Sequence, residues 1–286
     1  MIPEYIQRHH DYELTLTSVP SGGIHGVELP LDTDAAFALG LVRQRATPTA
    51  SVANISYRFR LPRGAYQSDQ FRNDAFGQGV QRRGNSIYPA VVYPAGGTIV
   101  FDIQNNSGGT VTNVKILCRG RKLYAPGTIN IPQWPKRGEG RVSPFPYVYP
   151  ITISGIVQSN GNANMQNQIV IKDDADFVLR CGFADSASLT AGYVSTYDQL
   201  YIRLYDKWRQ YYSNEPIHID DVFGPSSAAS AAAGGGNVVQ YAPNLFAPEI
   251  YIPANDPLYF DLFRTDAAGG TVTLQIGFVG MKVFRR

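Results

Sequence analysis

The feature that most constrains this chain is an internal repeat. Tyr93 to Phe101, "YPAGGTIVF", aligns with Ile252 to Phe260, "IPANDPLYF", at an offset of 159. Further on, "GGTVTNVKILCRGRKLY" from Gly108 aligns with "GGTVTLQIGFVGMKVF" from Gly269, and Gly120 and Lys122 recur as Gly280 and Lys282. Upstream, "LDTDAAFALGL" from Leu31 matches "IKDDADFVLRC" from Ile171, placing Phe37 on Phe177 and Leu39 on Leu179. "YRFRLPRGAYQS" from Tyr57 matches "IRLYDKWRQYYS" from Ile202, and Phe76-Gly77 falls on Phe223-Gly224 at an offset of 147. The jump from 147 to 159 equals the twelve residues Pro225 to Gly236, "PSSAASAAAGGG", which read as an insertion in the second copy. A period this long means one folding unit made twice.

Sidedness says what kind of unit. Ile99, Phe101 and Ile103 alternate with Val100 and Asp102; Leu258, Phe260 and Leu262 alternate with Tyr259 and Asp261. A period of two with one apolar face is the pattern of half-buried antiparallel strands. Strands are expected near Glu13–Val19, Val27–Leu31, Ala35–Val42, Ile55–Leu61, Ile87–Val92, Thr98–Gln104 and Val111–Leu123. Short strands at regular spacing, punctuated by Gly, Pro and Asn, predict an all-β fold: two tandem antiparallel β-sandwiches, jelly-roll-like, related by duplication. "YDQLYIRLYDKWRQYY" from Tyr197 reads as strand followed by irregular chain, because its counterpart holds Pro62 and Gly64. The expected layout is an N-terminal arm over 1–11 and a first sandwich over 12–124. A Pro-rich connector over 125–147 follows, then a second sandwich over 148–286 carrying the insertion at 225–236. The connector's five prolines argue against helix and central strand alike.

Composition narrows the function classes. The chain has 286 residues, 44% hydrophobic and only 17% charged, with 28 Gly, 19 Pro and 18 Tyr. That suits a turn-rich chain that buries tyrosine against partners. A net charge of +2 makes no general demand for nucleic acid or an anionic membrane. The N-terminal "MIPEYIQRHHDYEL" has no apolar core of a signal peptide, and no run reaches membrane-spanning length, so the expectation is folding in a cytoplasm without membrane association. Cys118 and Cys181 lie in apolar runs of different copies and read as small buried hydrophobes.

Candidate chemistry is sparse. His9 and His10 fall in the expected arm, His25 in a Gly-rich turn and His218 in "PIHIDD", with no H-x-H pair. A cupin-like metal centre would need several such ligands converging inside a barrel, so no catalytic, cofactor or metal residue is assigned. The acidic runs "LDTD" at Leu31, "KDDAD" at Lys172 and "IDD" at Ile219 could chelate calcium, but Asp also stabilises turns through its own backbone, and that reading is preferred. Basic residues cluster at Arg82-Arg83, at Arg119, Arg121 and Lys122, at Lys136, Arg137 and Arg141, and at Arg285-Arg286. Acids nearly balance them and strand neighbours point to opposite faces. They read as a solvated face or salt-bridged contact, and nucleic acid is not the expected partner.

The runs "IYPAVVYPAGGTIVFDIQNNSGGTV…ILCRGRKLY" and "IYIPANDPLYFDLFRTDAAGGTVTLQIGFVGMKVF" resemble the C-terminal strands of small jelly-roll proteins of tailed-phage particles. The shared features are a Pro-Ala turn, a strand with Phe-Asp, a Gly-Gly turn and a closing strand with R-G-x-K or V-G-x-K. The resemblance implies a virion structural protein: a head decoration (cement) or minor capsid protein, or a neck or tail component. It also implies the major capsid or neighbouring virion proteins as partners. Low charge, many tyrosines and two extended arms (the N-terminus and 125–147) add self-association, with a homotrimer expected. Two further classes stay open. One is a glycan-binding, receptor-recognition sandwich, for which "YYSNEP" from Tyr211 is the nearest loop, although its aligned partner "YQSDQF" reads as a shared turn. The other is a cupin-like enzyme, disfavoured by the missing histidines.

Overall fold

The computed structural model describes residues 5–47, 55–64, 72–73, 85–128, 142–156, 165–185, 200–223, 244–265 and 272–285. The chain divides into two compact units, Met1–Ile129 and Asn130–Arg286. In the first, β1 (Ile6–Val19), β2 (Ile24–Pro30), β3 (Ala36–Thr47) and β4 (Ile55–Phe59) precede the short β5 (Arg72–Asn73). Then follow β6 (Asn85–Tyr93), β7 (Thr98–Asn105) and β8 (Val111–Tyr124). They form two antiparallel sheets, ordered β1-β8-β3-β6 and β2-β7-β4-β5.

The second unit contains β9 (Val142–Ile156), β10 (Met165–Val170), β11 (Asp176–Asp185), β12 (Leu200–Tyr205) and β13 (Ile217–His218). After the five-residue α1 (Ile219–Phe223) come β14 (Ile250–Ile252), β15 (Pro257–Arg264) and β16 (Val272–Arg285). Its sheets run β9-β16-β11-β14 and β10-β15-β12-β13. Adding eight to every strand of the first unit reproduces the second. Each unit is thus an eight-stranded, two-sheet jelly roll.

Both interiors are filled by the alternating strands. Ile99, Phe101 and Ile103 are fully buried in a cluster with Tyr12, Phe37, Leu39, Ile55, Tyr57 and Cys118, drawn from both sheets. Their counterparts Leu258, Phe260 and Leu262 are equally buried, and the Phe260 ring meets Phe278 of the facing sheet at 5.7 Å. The chain's turns repeat too. In Pro94-Ala95-Gly96-Gly97 the Gly97 amide donates to the Pro94 carbonyl at 3.0 Å with Gly96 at φ 66°. In Pro253-Ala254-Asn255-Asp256 the Asp256 amide donates to Pro253 at 3.1 Å with Asn255 at φ 64°. A left-handed third residue admits Gly or Asn, which is why those two types alternate there.

Three expectations need correction. Residues 6–11 are not an arm: β1 begins at Ile6 and pairs with β8 from Ile6 opposite Tyr124 onward, with His9 and His10 buried. Polar residues make a buried strand here because β8 answers them across the ladder. Asp11 accepts from Arg119 at 2.8 and 3.1 Å, and Glu13 from Lys115 at 2.5 Å. Residues 142–147 are not connector but the start of β9, despite Pro144 and Pro146. β9 is an edge strand, and Pro144, Pro146 and Pro150 share one parity along it, so the amide protons they lack would all face away from β16. Finally, His25 lies within β2, opposite Ile103, rather than in a turn. Residues 129–141 of the expected connector and the 225–236 insertion lie outside the described residues.

Candidate functional site

The residues that the copies share assemble into one structural knot, built twice. Tyr12 on β1 meets the Phe37 ring edge-on at 4.8 Å, and its hydroxyl accepts from the Asp32 amide at 3.1 Å. Tyr149 on β9 meets Phe177 at 4.9 Å, and its hydroxyl accepts from the Lys172 amide at 3.1 Å. The phenylalanine rings lie over the glycines of the closing strands. A Cβ on Gly120 would sit 2.7 Å from Phe37 Cζ and 2.2 Å from the Ala38 carbonyl oxygen. On Gly280 it would sit 2.8 Å from Phe177 Cζ and 2.0 Å from the Val178 oxygen. Two residues on, Lys122 donates to Asp32 at 2.6 Å and to Asp34 at 2.9 and 3.0 Å, and Lys282 donates to Asp174 at 2.6 and 2.8 Å. The G-x-K motif is therefore a packing and anchoring device.

This accounts for Asp32, Asp34, Asp174 and Lys122 among the acidic and basic candidates. Burial works to raise the Asp32 carboxyl, but the hydrogen bond and charge of Lys122 hold it below its ordinary value. The Lys282 hydrogen bond lowers Asp174 in the same way. Asp176 accepts from the Ala254 amide at 2.9 Å and the Tyr251 hydroxyl at 2.5 Å, tying the start of β11 to β14. The run "IDD" forms the first residues of α1 rather than a turn. Among the described residues no group of three or more His, Cys, Asp or Glu is placed to hold a metal ion. Arg119 and Lys122 are salt-bridged within their own unit. Arg82, Arg83, Lys136, Arg137, Arg141 and Arg286 lie outside the described residues.

The histidines do not converge. His9 Nε2 lies 3.4 Å from Asp11, and His10 Nε2 lies 3.8 Å from Asp32 with its ring 4.5 Å from Tyr12. Burial, then the Lys122 charge, pulls the His10 pKa down to about 3. Asp11 is held well below the carboxylate range: burial opposes this, and Arg119 followed by His9 overcomes it. His218 is buried on β13, edge-on to Tyr201 with 5.4 Å between ring centroids. Cys118 and Cys181 are free and buried, with burial raising both thiols above their usual value.

The copies diverge on the outer face of sheet β10-β15-β12-β13. Tyr205 stacks on Tyr259 at 5.3 Å and 10°, and Tyr211 leans on Tyr205 at 5.1 Å. The Arg203 guanidinium lies 3.7 Å over the Tyr211 ring. Beyond β12, a turn presents Trp208, 49% exposed, in a shallow pocket lined by Asp206, Lys207, Tyr212, Tyr251, Pro253 and Asp256. Sequence reasoning pointed to Tyr211 but passed over Trp208; a lone Trp in "YDKWRQYY" where the other copy has Arg63 was the available signal.

No family model matches the chain, and no curated protein matches it. Among solved structures, the chain is similar to the N-terminal CBM22-1-CBM22-2 tandem domain from Paenibacillus barcinonensis Xyn10C. The identity is 8%, with 94% of this chain and 96% of that chain covered and a TM-score of 0.19, a value from which no residue correspondence follows.

Proposed function

We propose that the chain is a structural subunit of a tailed-phage virion, a head decoration or minor capsid protein assembled in the host cytoplasm. It acts by associating with itself and with shell proteins rather than by catalysis. One observation carries the reading: among the described residues, the Tyr-Phe-Gly-Lys-Asp knot and the apolar inward positions that both copies share are committed to scaffold. The eight-stranded jelly roll serves viral capsid and lectin domains and also cupins. A cupin-type enzyme keeps its chemistry inside the barrel, and here those positions hold Ile99, Phe101 and Ile103 and, in the second unit, Leu258, Phe260 and Leu262. The closing-strand G-x-K that carries the resemblance to phage jelly rolls has a defined role in each copy.

The assembly proposed is a homotrimer, in which two similar domains per chain offer six near-equivalent contacts to a shell. Light scattering on the purified protein, with imaging of particles in which it is labelled, tests this. A trimer located on the head is expected. A monodisperse monomer that does not bind capsids overturns the reading, and a sixfold or twelvefold ring moves the protein to the neck or tail.

A further inference from the structure

The second jelly roll differs from the first around three aromatic residues, Tyr205, Trp208 and Tyr211. In the first unit Arg58 and Asp102, opposite each other on β4 and β7, form an ion pair at 3.1 Å. Their counterparts Arg203 and Asp261 are also opposite in register. Arg203, however, has turned away: it donates to the carbonyls of Ser213 at 3.3 Å and Asn214 at 2.9 Å and covers Tyr211. Asp261 accepts from the Tyr205 hydroxyl at 3.3 Å instead, and burial raises its pKa against that hydrogen bond and Arg203. The Gln166 amide on β10 reaches the same hydroxyl.

The turn after β12 has changed in the same direction. Leu61-Pro62-Arg63-Gly64 of the first unit is replaced by Asp206-Lys207-Trp208-Arg209. The backbone is kept: Gly64 donates to Leu61 at 2.9 Å, and Arg209 to Asp206 at 3.0 Å. The left-handed position is kept as well, with φ 84° at Gly64 and 59° at Arg209, a conformation that costs a side-chain-bearing residue. Asp206 holds it by accepting from the amides of Trp208 at 3.0 Å and Gln210 at 2.9 Å. Lys207 Nζ lies 4.5 Å over the indole and 2.7 Å from Asp256. The indole is thus both exposed and pinned.

We propose that the pocket at the turn after β12 is a saccharide-binding site for a neutral pyranose ring, with Trp208 as the platform and Tyr251 and Tyr212 in the lining. A sugar ring offers an apolar C–H face to a flat aromatic and hydroxyls to surrounding carboxylates, amides and cations, and this site holds both. Charge complementarity selects a neutral ring. Lys207 pairs with Asp256, the charges of Arg203 and Arg209 act on Asp261, and Asp206 adds a third carboxylate, so three cations face three carboxylates and no net charge draws a phosphate or polyanion. The site stands independently of a place in a phage particle.

The test uses the purified full-length chain, a glycan array of neutral and acidic oligosaccharides, and calorimetric titration with the best neutral ligand. Binding to neutral glycans is expected, with Trp208→Ala weakening it at least tenfold and Trp208→Phe recovering part of it. Arg63→Ala, at the matching position of the first unit, leaves it unchanged. An array silent for neutral glycans, selective binding of sulfated or sialylated ones, or binding indifferent to Trp208→Ala in a variant of native circular dichroism overturns the assignment. None of these outcomes depends on where the protein sits in a particle.

Discussion

Gly120→Ala and Gly280→Ala are the sharpest tests of the repeated knot. Neither glycine has a positive φ, so on backbone grounds alone an alanine would stabilise by about 0.4–1 kcal/mol through the unfolded state. The contacts predict the opposite sign. The added methyl would lie 2.2 Å from the Ala38 oxygen in one copy and 2.0 Å from the Val178 oxygen in the other, against an ordinary C···O approach of about 3.3 Å. Those atoms are backbone and cannot rotate away, so strands β3 and β8, or β11 and β16, must part by about 1 Å. Overpacking of this kind costs about 1–3 kcal/mol. Weakening one or two ladder hydrogen bonds adds about 1 kcal/mol each. The net expectation is a loss of about 3 kcal/mol for each variant, roughly a 10 °C fall in Tm for a unit of this size. Urea unfolding and calorimetry on the full chain measure it, with Gly26→Ala as control, since nothing lies within 4 Å of a Cβ there. If Gly120→Ala and Gly280→Ala behave like the control, the knot does not hold the closing strands as described. Phe37→Leu in the Gly120→Ala background should recover only part of the loss, because it relieves the ring contact and not the carbonyl.

Three further outcomes are expected. Phe101→Ala and Phe260→Ala should each cost about 3–5 kcal/mol in urea unfolding by leaving a cavity at equivalent depths of the two cores. Arg119→Met should cost about 3–5 kcal/mol at neutral pH by leaving the buried Asp11 carboxylate with only its His9 contact, and the deficit should shrink in acid, where that carboxyl can take a proton. The His10 pKa is depressed to about 3 in the fold, so from its ordinary 6.5 downward the unfolded chain holds a proton that the folded chain does not. Its contribution to stability is therefore whole above pH 6.5 and is lost at up to about 1.4 kcal/mol per pH unit as the pH falls toward 3. His10→Leu should flatten the urea midpoint between pH 6.5 and 4.5; an unchanged slope would remove His10 from the acid response.

The sequence by itself determined the duplication, the all-β class and the inward face of the central strands. It could do so because a strand with one buried face must alternate with a period of two, and Ile99-Phe101-Ile103 and Leu258-Phe260-Leu262 write that period twice. It marked Gly120, Lys122 and their partners as shared, without saying why. What lay beyond it depended on residues far apart in the chain. His9, His10 and Asp11 read as a loose arm because Arg119 and Lys122, the residues beside them, are more than a hundred positions away. Prolines 144 and 146 read as connector because only the sheet order places β9 at an edge, where a missing amide proton costs nothing. The face around Trp208 was hidden for the same reason. Its chemistry arises from a left-handed Arg209, a lysine laid over the indole and an arginine turned from its cross-strand aspartate onto Tyr211, and a linear pattern of residue types records none of these.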